Sequence, residues 1–209
     1  MAKHMKNTMV LLLLSISIQL SNAQDKDLIK ENKKEFNQII ICTNIDSLLN
    51  YYKNIYLPDK LIDFVYAMKM YEISNGKTIV DQLFTSMPQN KIEFYYFYSL
   101  TENIFDDSSL NNKLNDYVNL YAKILSKNII KNKNYMPNYL KLYCSIEGEL
   151  LDVYISYFLK TVESNPKIFF DTFIKENSKS KKKIINTLKY GAIDWKIKLP
   201  QKYYNYLKF

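Results

Sequence analysis

The sequence predicts an all-α protein, either a helical bundle or a short solenoid of antiparallel helix pairs. Two observations carry this. Apolar residues recur at intervals of three and four along most of the chain, which is the period of one helix face. Alternating apolar and polar runs, the mark of a half-buried strand, are nearly absent, and WKIKL at 195–199 is a weak case. Helix punctuation points the same way, because acids, serines and prolines stand where the periodic stretches begin.

The N-terminal run, Met9 to Ile18, is almost wholly apolar and follows Lys3, His4 and Lys6, with no acid among the first 23 residues. A membrane-spanning helix needs about 20 apolar residues, and Gln19, Ser21 and Asn22 close this run at roughly half that. A positive start, a short apolar core and the small residues Ser21 and Ala23 describe a secretory signal peptide cut after Ala23. Gln24 stands where a lipoprotein would carry cysteine. An uncleaved anchor is the alternative. The expected organisation is a signal peptide at 1–23, a helical domain at 24–177 and a basic, aromatic helix and tail at 178–209. The mature chain is expected in the periplasm or outside the cell.

After the signal, Ile41, Ile45, Leu48, Leu49 and Tyr52 suggest a first helix. Leu61, Val65, Met68 and Tyr71 repeat the pattern, with Pro58 and Asp59 as start and Asn75-Gly76 as stop. The aromatic burst FYYFYSL, Phe94 to Leu100, must point around its helix, so it is read mainly as core with some rings outside. Asp107, Ser108 and Ser109 offer caps for a helix whose inner face is Leu110, Leu114, Tyr117, Val118, Tyr121 and Leu125. Leu151, Tyr154, Ile155, Phe158, Leu159 and Val162 form a wider stripe, packed from more than one side. Ile184, Ile185 and Leu188, surrounded by lysines, give the last helix an amphipathic face.

The prolines are spaced in a repeating way. Pro58 and Pro88 are 30 residues apart, and Pro137 and Pro166 are 29 apart. Each pair encloses a helix, a bend and a second helix, and each second proline leads into an aromatic start, NKIEFYYF or PKIFF. Over roughly Pro58 to Glu176 this resembles, in architecture only, the HEAT-type class of helical repeats. The resemblance implies a scaffold that commonly binds other proteins and transfers no catalytic residue. A compact irregular helical bundle is the other arrangement.

Composition narrows the chemistry. His4 is the one histidine and lies in the signal segment, so imidazole-based nucleophilic catalysis and histidine-ligated metals lack their key group. All 29 basic residues are lysine, so the bidentate fork that reads phosphate and guanine edges is missing. Three isolated glycines build no phosphate-cradling loop. No cofactor, metal or nucleic-acid partner is expected. Two catalytic options remain. Ser178 and Lys181 fit S-x-x-K inside the lysine run SKSKKK, and Glu147, Glu149 and Asp152 could supply the two acids of a carboxylate-dependent hydrolase. A solvated lysine run and helix-capping acids are the simpler readings of the two, and they are preferred. Export permits a disulfide between Cys42 and Cys144, with two buried free thiols as the alternative.

Charge is concentrated at one end. Residues 175–209 hold ten lysines against Glu176 and Asp194, whereas residues 24–174 are nearly balanced. The binding candidates are therefore Lys181, Lys182, Lys183, Trp195, Lys196, Lys198, Lys202, Tyr203 and Tyr204. The expectation is an exported, non-enzymatic protein that binds another macromolecule, first of all a protein, as an immunity or inhibitor protein does. The alternative is an envelope-surface binder that lays the basic aromatic tail on anionic membrane or polysaccharide.

Overall fold

A computed structural model describes residues 29–146, 150–194 and 196–207, and the chain is all-α, with no strand among the described residues. The segment 1–23, expected to be a signal peptide, lies outside them, as do Glu147, Glu149 and Trp195. Helices α1 (Lys33–Ile41) and α2 (Ile45–Lys53) come first. One helix was expected across Ile41 to Tyr52. The chain instead breaks before Asn44, whose side-chain oxygen accepts from the Ser47 amide at 2.9 Å and caps α2. The break leaves Ile41 64% exposed while Leu48 is fully enclosed.

Helix α3 (Lys60–Ile73) begins where Asp59 Oδ1 accepts from the amides of Leu61 and Ile62, at 2.8 and 2.9 Å. It ends where Asn75 and Gly76 turn left-handed, φ +51° and +76°, so that the Gly76 amide can donate back to Tyr71 O at 2.8 Å. The stripe seen in the sequence understates its burial. Every residue from Phe64 to Met70 is buried, because α1, α2, the single turn α4 (Gln82–Thr85) and α6 (Ser108–Asn128) all lie against it. Helix α5 (Lys91–Ser99) carries the aromatic burst and sends Phe94 and Phe97 inward while Tyr95 stays exposed. Helix α6 follows its predicted face closely: Asp107 caps it through the Leu110 amide at 3.0 Å, and all six predicted inner residues are buried.

After a 3-10 turn at Lys133–Tyr135 come α7 (Met136–Ser145), α8 (Leu150–Ser164) and α9 (Pro166–Phe173). The chain closes with α10 (Ser178–Asp194) and a 3-10 segment at Gln201–Leu207. Helix α8 packs on α6, α7, α9 and α10, as its wide stripe requires. The two proline-bounded units hold α3–α4 and α7–α8, and their second helices differ in length, 4 residues against 15. WKIKL forms no strand. Its alternation survives as an extended segment with Ile197 and Leu199 buried and Lys196 and Lys198 exposed.

The core encloses Tyr121, Tyr139, Tyr143 and Tyr154, each with its hydroxyl bonded. Tyr121 donates to Leu83 O at 2.5 Å, Tyr154 to Val118 O at 3.0 Å, and Tyr143 to Tyr154 O. Tyr139 pairs with the Thr161 hydroxyl at 3.0 Å. Burial pushes the Tyr139 phenol up to about 12 and raises those of Tyr121, Tyr143 and Tyr154 as well. Helices α8 and α10 meet closely at Gly191, where an added Cβ would sit 2.4 Å from Leu159 Cδ2. Overpacking of that kind costs about 1–3 kcal/mol, against roughly 1 kcal/mol of helix propensity gained from alanine. Gly191→Ala is therefore expected to destabilise, and a higher denaturation midpoint in urea would refute that.

Candidate binding groove at the basic end

The basic end of the chain folds onto the body. Pro166 starts α9 and Asn177 caps α10, its Oδ1 accepting from the Ser180 amide at 3.0 Å. Ile184, Ile185 and Leu188 turn α10 inward onto the common core. The tail returns across α9. Tyr203 stacks on Phe170 with ring centres 4.5 Å apart, and Tyr206 stacks on the same ring at 5.1 Å. The Lys198 amide donates to Glu163 Oε1 at 2.9 Å, tying the extended segment to α8.

Between α9, α10 and the tail runs a groove of about 820 Å³. Its apolar surface comes from Phe173, Ile174, Ile185 and Tyr206, of which Ile174 and Tyr206 are 47% and 41% exposed. Lys181, Lys182 and Lys189 line it from α10, with Ser178 and Asn186 beside them, and among the described residues no carboxylate lines it. Lys181 Nζ donates to Ile174 O at 2.7 Å, which fixes that ammonium beside the apolar surface. The same bond uses the lysine of the S-x-x-K pair as a cation and donor.

The sequence-predicted residues divide. Lys181 and Lys182 line the groove. Lys183 turns away and donates to Cys144 O and Ile146 O, at 2.9 and 3.2 Å, capping the C-terminal end of α7. Lys196 and Lys198 are exposed, with Lys196 in a left-handed turn at φ +50°. Lys202 is exposed and lies 4.9 Å above the Tyr203 ring. Tyr203 is buried in its stack and Tyr204 is half-buried against the core. Cys42 and Cys144 are both free and half-buried, with Cys42 Sγ donating to Gln38 O at 3.2 Å. On the far wall, Tyr206 belongs to the aromatic tail, while Phe173 and Ile174 escaped the sequence reading because only the tertiary fold brings them to α10. Ser178 was read only as part of an S-x-x-K pair, and Asn186 could have been found, since both share one helical face with Lys181, Lys182, Ile185 and Lys189.

No protein-family model, curated protein or solved structure matches the chain. What the groove can do is read from its own side chains.

A second cleft of about 670 Å³ lies between the end of α3 and α6. Glu72 sits in it and accepts from Tyr117 and from Lys113 at 3.0 Å, with Lys69 Nζ 3.7 Å away. Burial raises the Glu72 carboxyl, but the bonds from Tyr117 and Lys113 and the two lysine charges outweigh it, so its pKa lies below the usual value. Burial, then the Glu72 partner, drives the Tyr117 phenol upward. Each of these groups is spent on another, which suits a brace between α3 and α6 better than a ligand site. Of the proposed carboxylate group only Asp152 is described, exposed in the first turn of α8. Among the described residues no cluster of three or more His, Cys, Asp or Glu is placed to hold a metal ion. No described helix is long and apolar enough to cross a membrane.

Proposed function

We propose that the chain is an exported, non-enzymatic protein that binds a protein partner through its helical scaffold, with the signal peptide removed after Ala23. The observation that carries this is the C-terminal groove, in which exposed apolar side chains and lysine ammonium groups share one concave surface. Apolar surface left in a cleft rather than packed is where a partner gains most from desolvation, and a charged border supplies orientation. We read the scaffold as a short stack of antiparallel helix pairs of the HEAT type. One concrete form of such a binder is an immunity or inhibitor protein.

The envelope-surface alternative has less to work with. It would keep the exposed Lys196, Lys198 and Lys202, but Ile197, Leu199 and Tyr203 are committed to the core and have no rings or chains to offer a bilayer. Deleting the chain from Ser178 onward is a poor test, because it strips Ile184, Ile185 and Leu188 from that core. Charge reversal is better. A cross-linking pull-down from envelopes of the producing cells, with residues 24–209 as bait, should capture a protein. The Lys181→Glu/Lys182→Glu bait, shown folded by circular dichroism, should lose it. Equal capture by both baits would move binding elsewhere on the body, and capture by neither would count against the binder reading.

A further inference from the structure

We infer that the groove takes an acidic amphipathic helix of the partner protein, laid alongside α10. This rests on the binder reading above and specifies what is bound. Three features of the groove select the occupant.

The first is length. Ser178, Lys181, Lys182, Ile185, Asn186 and Lys189 are the α10 residues that line the groove, and they recur at the spacing of one helix face. Eleven residue steps at 1.5 Å make that wall about 16 Å long, three helical turns. A straight wall of that length matches the seam along which a partner helix presents residues at i, i+3 or i+4, and i+7.

The second is shape. The apolar residues lie in a cleft and on its far side, where Ile174 and Tyr206 face α10 across about 820 Å³. A bilayer surface is flat at this scale and cannot reach apolar groups set between two walls. A helix, about 10–12 Å across with side chains, can lower one apolar stripe between them.

The third is charge. Lys181, Lys182 and Lys189 line the groove and, among the described residues, no acid does, while the segment around it, 175–209, carries ten lysines against two acids. A helix entering with its apolar stripe down therefore brings its flanks against ammonium groups. Glutamates or aspartates on those flanks are attracted, and lysines there are repelled. A partner helix of this kind has large apolar residues on one stripe and carboxylates beside it.

The test uses residues 24–209 and two labelled peptides of about 18 residues, long enough to hold some helix alone. Both carry leucine at i, i+3, i+4 and i+7. One bears glutamate on its flanks and the other lysine. Fluorescence anisotropy should show the acidic peptide bound at least tenfold more tightly than the basic one. That binding should weaken at least tenfold in Lys181→Glu/Lys182→Glu, and should also weaken in Ile174→Ser, a change at an exposed position. Equal affinity for the two peptides, binding of neither, or acidic-peptide binding that ignores both substitutions overturns the inference. Anionic phospholipid vesicles are run in parallel, and vesicle binding lost in Lys181→Glu/Lys182→Glu, without peptide binding, also overturns it. The pull-down separates the two levels. If envelopes yield a protein that Lys181→Glu/Lys182→Glu loses, yet the acidic peptide does not bind, the helix assignment fails and the binder reading stands. If envelopes yield nothing, the binder reading itself fails.

Discussion

Raising the pH from neutral to 11 should remove about 5–6 kcal/mol of stability and unfold the protein in one cooperative step. Tyr121, Tyr139, Tyr143 and Tyr154 are enclosed in the core with bonded hydroxyls, and burial holds each phenol above its ordinary value of 10. The sign follows from where the proton is held. The folded state keeps four protons that the unfolded chain releases near pH 10, so stability is fully present below that pH and falls as pH rises past it. One unit above the unfolded pKa, each group favours the unfolded state by about 1.4 kcal/mol. The four together approach the whole stability of an ordinary domain, about 5–15 kcal/mol. Phenolate absorbance and helical circular dichroism should therefore change together between pH 10 and about 11.5, with the later part of the absorbance change arriving as a step. A smooth ionisation of all tyrosines with helix content unchanged would sink the idea. Tyr154→Phe should lower the steepness of the stability loss by about 1.4 kcal/mol per pH unit.

Lys183→Met should cost about 2–4 kcal/mol, far more than the same change at Lys182. The Lys183 ammonium donates to the carbonyls of Cys144 and Ile146 at the end of α7, where the last carbonyls of a helix lack the amides of a following turn. Hydrogen bonds to a charged group are worth about 1.5–3 kcal/mol apiece, and the methionine restores only part of the contact made by the lysine stem. Lys182 is exposed on the groove, and its loss should leave the denaturation midpoint nearly unchanged. Chemical denaturation of both variants, followed by binding to the acidic peptide, gives opposite rankings: Lys183 should matter for stability and Lys182 for binding. Equal stability of the two variants would refute the cap.

The contrast between these neighbours shows what a sequence can and cannot reveal here. Periodicity identified the inner face of α6 residue by residue, because a helix that packs on one side writes its burial into its own spacing. It also found the Asp59 and Asp107 caps, since capping is a local event. It failed where the deciding group is far along the chain. Lys183 is one of three consecutive lysines, and only the end of α7, 37 residues earlier at Ile146, selects it as a cap. α3 looked one-sided because nothing in its spacing announces that four other helices surround it. Asn44 is the exception among the misses, a local signal passed over: an N-cap residue interrupts a run whose apolar spacing continues across it.

The tyrosine hydroxyls have a consequence for how tightly the fold is specified. Tyr154 of α8 bonds a carbonyl of α6, and Tyr143 of α7 bonds the carbonyl of Tyr154 itself, so three helices are joined by a short relay of oriented bonds. Leucine and phenylalanine surfaces accept a neighbour shifted by one turn with little change in contact. Hydroxyls do not, because each shift strands a buried donor at a cost of about 1–3 kcal/mol. These tyrosines thus act like keys in keyways. They make the sliding and rotated packings open to an aromatic helical core unfavourable and leave one alignment of α6, α7 and α8 well below the rest.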